Sequence, residues 1–164
     1  MPHHGLVMSG VTAMFAIEAD TALNALIDGR TPIFGPDLQR QLEQVTAPDA
    51  AFCALAQRNR QLVCRDYAAA FCEADVVLTP TVPFAAPPID GNESHCLFRC
   101  VPYTGAANLV GLPAVSIPAG MTDGLPMAVQ IIAPVAGDAL ALRVAYALEQ
   151  AALEHRVSTP PLDV

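Results

Sequence analysis

The 164-residue sequence contains no lysine, and only 15% of its residues are charged. Its eight arginines stand against sixteen acidic residues, which gives a formal net charge of −8. A chain this acidic, without a basic run, is a poor binder of nucleic acid or of anionic membrane surfaces. We therefore expect no direct nucleic-acid partner and no membrane partner. Any chemistry that needs a lysine side chain must obtain it from another segment or chain.

Signals for disulfides and for secretion are also missing. The five cysteines are odd in number and match no disulfide framework, so reduced thiols are the simplest interpretation. The first ten residues lack the basic start and apolar core of a signal peptide. The uncharged stretch around Leu109 contains too many prolines and glycines for a lipid-exposed helix. These features predict a soluble, cytoplasmic protein.

The mean hydropathy of +0.40 is high for a soluble chain. Either the protein has a large buried core, or it exposes an apolar face that packs against something else. The length predicts one domain, and fifteen prolines with ten glycines predict that it is rich in loops.

The strongest strand signals lie in residues 103–130. Two apolar runs, residues 114–117 and 127–133, are separated by Met121-Thr122-Asp123-Gly124. Asp-Gly supplies the positive φ angle that a tight connection needs. Continuous apolar runs predict strands buried on both faces of a sheet, so we expect a core sheet of an α/β domain.

Helical periodicity surrounds these strands. We expect helices over residues 13–28, 37–45, 49–73 and 139–154, and a further strand over residues 75–80. Phe15 and Phe52 are expected on the buried stripes of their helices. The polar side of the third helix is expected to hold four charged residues, namely Arg58, Arg60, Arg65 and Asp66.

Candidate metal and nucleophile sites are weak. His95, Cys96 and Cys100 could supply three ligands, but a fourth is missing and so is the usual paired Cys-x2-Cys spacing. Ser116 lies within a predicted strand and lacks the exposed G-x-S-x-G turn, so its hydroxyl is expected to bond to the backbone. We predict no metal, no cofactor and no catalytic residue in this chain.

Tyr103, Thr104 and Asn108 are polar groups inside the uncharged stretch. If the stretch is buried, each of them needs a hydrogen bond. The preferred interpretation is that their hydrogen bonds hold neighbouring loops in place. The other is that they face a substrate pocket at a strand end, where α/β sheets bind ligands.

The segment TGAANLVGLPAVSIPAG, followed by DGLPMAVQIIAP, resembles the C-terminal part of the amidase signature family. Members typically carry aromatic-Thr, Asn-Leu, Gly-Leu-Pro-Ala, Ser-Val-Pro, Gly-Leu-Pro and Gln-Leu-Ile elements. The matching positions are Tyr103-Thr104, Asn108-Leu109 and residues 111–114, 116–118, 124–126 and 130–132. Residues 75–89 are similar to the family's Asp-hydrophobic-Leu-Thr-Pro-Thr segment. The resemblance covers nearly all the chain and is most specific between residues 75 and 150.

The resemblance implies the C-terminal part of an amidase-type mixed sheet flanked by helices, over residues 12–155. Residues 1–11 are then expected to be a disordered N-terminal segment, and residues 156–164 a tail. The family hydrolyses carboxamides with a serine nucleophile, a bridging serine in a cis peptide and a lysine base. All three lie in an N-terminal half with a Gly/Ser-rich run. This sequence has neither that run nor a lysine, so the chain alone is expected to be inactive.

Two functional hypotheses stay open. The chain is the C-terminal part of an amidase that acts on a small-molecule amide, with its chemistry supplied by an N-terminal half or a complementary subunit. Within this hypothesis, the A subunit of a tRNA-dependent amidotransferase is the alternative to a general amidase. The second hypothesis is a non-catalytic binding or assembly module on an amidase scaffold. A homo-oligomer is compatible with both.

Overall fold

In the computed structural model, an antiparallel sheet lies between a layer of helices and a single C-terminal helix. The structure describes residues 1–27, 35, 49–88 and 93–154. The described sheet has the strand order β1-β3-β2, so β3 is central. Its strands are β1 (Val77–Pro80), β2 (Ala114–Thr122) and β3 (Leu125–Ile132). The predicted α/β class is confirmed.

The helices follow the chain as α1 (Val7–Ile27), α2 (Ala50–Ala70), α3 (Glu93–Cys100), α4 (Ala106–Val110) and α5 (Asp138–Glu154). A short 3-10 helix, His4–Leu6, precedes α1, and a π-helical turn, Val101–Gly105, joins α3 to α4. We call the latter the π-turn. No helix in the described part of the chain is both long enough and apolar enough to span a membrane.

The main core lies between the sheet and one helical layer. Ile132 of β3 is fully buried in a cluster with residues of α1, α2 and α4, namely Val7, Val63, Tyr67, Ala106, Ala107 and Leu109. Gly10 of α1 allows this close packing, because a Cβ atom there would lie 2.8 Å from a methyl carbon of Leu109. The neighbouring Ile131 points to the opposite face and is also fully buried. Helix α5 packs against β2 and β3 and covers that second face.

The predicted hairpin is confirmed. β2 pairs antiparallel with β3, and Thr122 and Leu125 close the ladder. Asp123 and Gly124 connect them with φ angles of 50° and 77°. Two successive positive φ angles match the twist of a tight hairpin, which explains the Asp-Gly pair.

Helix α1 differs from the prediction at its start and in its buried face. It begins at Val7 instead of residue 13, because Val7 is fully buried in the main core. Among the described side chains of this helix, Ala13 and Ala16 are also buried, while Phe15 is 51% exposed, so the prediction of a buried Phe15 was wrong. The helix predicted over residues 37–45 and the tail at residues 156–164 lie outside the described residues.

The bounds of helix α2 are close to the predicted ones, but two of its side chains differ from the prediction in their exposure. Asp49 caps it by accepting the Phe52 backbone N–H at 2.7 Å. Phe52 is 41% exposed, contrary to the prediction, whereas Asp66, expected on the polar side, is buried. The physical reason is that Asp66 has a bonding partner: its carboxylate accepts the His3 backbone N–H. A buried polar group with a partner avoids most of its desolvation penalty.

The prediction that both central strands are buried on both faces was wrong for β2. Ala114, Ser116 and Pro118 alternate along one face of β2 and are exposed. β2 is an outer strand of the described sheet and pairs only with β3 there. An apolar outer strand with an uncovered face is a surface suited to further packing.

Candidate functional site

A row of polar side chains crosses the sheet at its middle. Thr79 of β1 and Ser116 of β2 both lie opposite Gln130 of β3. Residues directly opposite each other in a sheet project from the same face. Ile132, two residues after Gln130, therefore shares this face, which places the polar row beside the main core.

The chain after β1 adds a further hydroxyl to this row. The Thr81 backbone N–H donates to the Ala128 carbonyl at 3.0 Å, so the pairing with β3 continues past Pro80. The Thr81 hydroxyl lies 2.6 Å from the Ser116 hydroxyl. The expectation that Ser116 bonds to the backbone was therefore wrong. Its partner is the side chain of Thr81, which follows β1 at the opposite edge of the sheet.

The π-turn brings Tyr103 and Thr104 to the same region. Both residues are half-buried. The Gln130 Nε2 group donates to the Tyr103 carbonyl at 3.4 Å and to the Thr79 hydroxyl oxygen at 3.3 Å. The Thr104 hydroxyl donates to the Cys100 carbonyl, one turn earlier, at 3.3 Å. π-turns inside helices occur frequently at functional sites.

Asn108, the third predicted pocket residue, lies one turn further along, on α4, and is exposed. Helix α4 is anchored by Arg60, whose Nε–H donates to the Leu109 carbonyl at 2.7 Å. A cation at the C-terminal end of a helix also interacts favourably with the helix dipole. The structure thus brings Tyr103 close to the polar row and leaves Asn108 exposed on α4.

Sequence reasoning missed Thr79, Thr81 and Gln130 as members of this site. The available signal was the occurrence of polar residues inside apolar strand runs, because a buried polar group needs a partner. Which residues would meet could not be read from that signal. We refer below to Thr79, Thr81, Ser116, Gln130 and the Tyr103 carbonyl as the polar cluster.

Helix α3 carries two half-buried cysteines, Cys96 and Cys100. Burial raises the pKa of Cys100, and the neighbouring Cys96 adds to this while Arg99 opposes it. A raised pKa keeps the thiol protonated, and it is the thiolate that attacks electrophiles and binds metals. Within the described ranges, no three His, Cys, Asp or Glu side chains are grouped so that they could hold a metal ion.

The groups of the polar cluster are neutral donors and acceptors. A hydroxyl can donate one hydrogen bond and accept two, and a side-chain amide offers two N–H groups and one carbonyl. Such a set suits the recognition of a neutral polar group, such as a carboxamide. It contains no carboxylate, imidazole or amine that could act as a general base.

Comparison with known proteins identifies the family. The amidase family model matches residues 5–142 of this sequence. The chain belongs to the amidase family. The resemblance noted in the sequence motifs is thereby confirmed, and it extends through α1 and α2 as well as through the polar cluster.

Individual amidase relatives agree with this assignment. The chain is 35% identical over 125 residues to the A subunit of glutamyl-tRNA(Gln) amidotransferase from Salinispora arenicola, covering 72% of this chain and 26% of that protein. The crystal structure of a bacterial aryl acylamidase of the amidase signature family superposes with a TM-score of 0.66 at 25% identity, over 88% of this chain and 33% of that one. For the A subunit of glutamyl-tRNA(Gln) amidotransferase from Thermotoga maritima the TM-score is 0.61 at 28% identity, over 92% and 33%. The chain therefore spans about a quarter to a third of the length of these relatives.

The Gly-Leu-Pro-Ala element begins with a left-handed glycine, Gly111. Gly111 ends α4 with a φ angle of 73°, and a Cβ atom built there would meet nothing within 4 Å. Gly111→Ala is therefore expected to lower the free energy of unfolding by about 1 kcal/mol through backbone strain alone. Urea unfolding would measure it. Gly5→Ala is the control, since that site is also open but its φ angle is not left-handed; equal effects of the two substitutions would contradict the prediction.

Proposed function

We propose that this chain forms the C-terminal part of the catalytic domain of an amidase-family amidohydrolase, which cleaves carboxamide C–N bonds. One observation supports this most strongly: an amidase-family chain of 164 residues contains no lysine. Because the resemblance implies a lysine base, that base, the serine nucleophile and the bridging serine come from a different segment or a separate chain. The present chain then supplies part of the sheet and one wall of the site.

The uncovered part of the sheet supports this division. β2 pairs on one side only within the described sheet, and its exposed face includes Ala114, Ser116 and Pro118. The unpaired edge of an apolar strand readily accepts another strand. We propose that the complementary part of the amidase domain joins the sheet at β2.

The polar cluster supports a carboxamide as the substrate. Its neutral hydroxyl and amide groups suit a neutral carboxamide, and Tyr103, Thr104 and Asn108 remain our candidates for the substrate pocket. We also propose a cytoplasmic location, because the five cysteines are free thiols, as expected in a reducing compartment.

A second candidate is the A subunit of a tRNA-dependent amidotransferase. It is favoured by the 35% identity to the A subunit from Salinispora arenicola. Among the superposed structures, the identity is 28% to the A subunit from Thermotoga maritima and 25% to the aryl acylamidase. In this case the protein works beside further subunits. The two candidates share the fold and the polar cluster, and they differ in the amide that is cleaved.

Reconstitution tests both candidates. The 164-residue chain is assayed alone, and again after co-expression with the N-terminal part of an amidase relative that lacks the region matching this chain. The probes are an aryl acylamide and L-glutamine, an aliphatic primary carboxamide. We expect no hydrolysis by the chain alone and hydrolysis by the co-purified pair, with the preferred probe separating a general amidase from a component of an amidotransferase.

Two controls sharpen the result. Ser116→Ala removes one hydroxyl of the polar cluster, so it is expected to weaken hydrolysis by the pair but not to abolish it, since we assign no nucleophile to this chain. Replacing the lysine of the N-terminal part is expected to abolish it. Hydrolysis by the purified chain alone, lost on substitution of one of its own residues, would refute the proposal. A stable chain that binds neither the N-terminal part nor an amide would instead favour a non-catalytic module.

A further inference from the structure

We propose that Gln130 is a positioning residue that fixes the π-turn, and with it Tyr103 and Thr104, against the sheet. The inference rests on the proposed function only in its claim that these two residues wall a substrate pocket. The contact itself is a property of this chain and can be tested without catalysis.

Gln130 occupies a position from which it can reach both the sheet and the helical layer. It lies on the central strand β3, only 5% exposed, between the apolar residues Val129 and Ile131. Its side chain shares a face with Ile132, which packs in the main core. The π-turn packs on α1, α3 and α4, and the amide at the end of the Gln130 side chain meets the Tyr103 carbonyl.

The chemistry of the partners determines the orientation of the amide. A backbone carbonyl can only accept a hydrogen bond, so the nitrogen of Gln130, and not its oxygen, must face Tyr103. The second N–H of the same nitrogen then points to the Thr79 hydroxyl oxygen. The two distances, 3.4 Å and 3.3 Å, are long for N–H···O bonds. One amide thus joins β1, β3 and the π-turn.

Packing alone would not select glutamine here. A buried amide costs free energy unless its groups are hydrogen-bonded, whereas methionine has a similar length and no such cost. A polar side chain between two apolar neighbours on a central strand therefore indicates that its bonds have a role. Both of its partners belong to the polar cluster, which is the region that we assign to the substrate.

The π-turn is the element that benefits from such a bond. π-helical hydrogen bonding is rare and occurs mostly as single turns. The carbonyl of Tyr103 has two lone pairs, and the Gln130 amide occupies one of them. Without this donor, the segment from Val101 to Gly105 is expected to fluctuate, and Thr104 with it.

The test compares Gln130→Met with Gln130→Glu in the isotope-labelled 164-residue chain. We read out the carbonyl ¹³C shift of Tyr103 and the amide exchange rates of residues 104–110. Gln130→Met keeps the length and loses the donor, so the ¹³C shift is expected to change and the exchange to rise about tenfold at any pH. Gln130→Glu is expected to behave in the same way when the introduced carboxyl is ionised, since a carboxylate cannot donate.

Lowering the pH distinguishes the loss of the hydrogen bond from a change in side-chain packing. A protonated carboxyl carries one O–H donor, so lowering the pH is expected to return the Tyr103 shift of Gln130→Glu towards the wild-type value. Gln130→Met and the wild type, measured over the same pH range, should show no such return. Thr79→Val is the matched control, because it removes the other bond of the amide and should leave the Tyr103 shift unchanged.

Two results would overturn the inference. One is a wild-type Tyr103 shift in both Gln130 variants, and the other is the absence of pH-dependent return in Gln130→Glu. If Gln130→Met does not fold, the pH series of Gln130→Glu alone decides. A confirmed contact together with failed reconstitution of hydrolysis would count against the proposed function and not against the role of Gln130.

Discussion

Replacing Ile132 with alanine is expected to lower the free energy of unfolding by about 3 kcal/mol. Ile132 is fully buried on the central strand, in a cluster that includes Val7, Val63 and Leu109 from three different helices. The substitution removes three carbon atoms and leaves a cavity between the sheet and these helices. Because the cluster joins four elements, its packing cannot relax by moving a single one of them.

Urea unfolding followed by far-UV circular dichroism would measure this loss, since the chain contains no tryptophan for fluorescence. Leu142→Ala on α5 is the matched control. Leu142 is 60% exposed, so its truncation should change stability by about 0.5 kcal/mol or less. A loss below about 1 kcal/mol for Ile132→Ala would mean that the described core does not stabilise the chain.

The hairpin could be predicted because its signals are local. Apolar runs on both sides of Asp123-Gly124 define the two strands, and the positive φ angles of these two residues define the turn. The start of α2 was likewise given by a capping residue, Asp49. Signals of this kind need no knowledge of the rest of the fold.

The helical segment from α3 to α4 could not be predicted in this way. Pro102 and Gly105 are residues that usually interrupt helices, yet the chain remains helical through the π-turn. Tertiary contacts override the local preference: Leu109 is buried in the core and its carbonyl is bonded to Arg60. The same override explains Phe15, which is exposed because the tight contact surface of α1 is made of smaller residues.

Tyr103, Thr104 and Asn108 were chosen as candidates because they are polar groups inside the uncharged stretch, and they remain a prediction. Gln130 and Thr79 were not among the candidates. The contact between Gln130 and Tyr103 spans 27 residues of sequence, and that between Gln130 and Thr79 spans 51. Such pairs depend on strand register and on the position of the π-turn, and neither can be read from one sequence.

Asp66 of α2 gives a second large effect. Its carboxylate accepts the His3 backbone N–H at 2.7 Å and lies 2.9 Å from the His3 ring nitrogen Nδ1. Burial of the carboxyl opposes ionisation, but these contacts with His3 outweigh it and lower the pKa of Asp66 below its usual value of 3.8. The bond joins α2 to His3, which precedes the 3-10 helix that leads into α1.

Asp66→Ala is therefore expected to lower the free energy of unfolding by about 2 kcal/mol at neutral pH, since it removes a charge-assisted bond and leaves the His3 N–H without its acceptor. His3→Ala removes the ring contact but keeps the backbone bond, so its effect should be smaller, about 1 kcal/mol or less. Asp75→Asn, at an exposed acid, controls for the change of charge. Equal stabilities of the Asp66→Ala chain and the wild type would contradict this account.

The pH dependence of the same bond has a definite sign. A carboxyl whose pKa is lower in the folded state than in the unfolded state stabilises the fold fully above the unfolded value, here 3.8. That stabilisation decreases as the pH falls through 3.8 and is lost below the folded pKa. The stability difference between wild type and Asp66→Ala, measured by urea unfolding from pH 5 to pH 3, should therefore shrink as the pH falls. A difference that grows over this range would show that Asp66 is protonated in the folded chain, and that its bond to His3 does not depend on its charge.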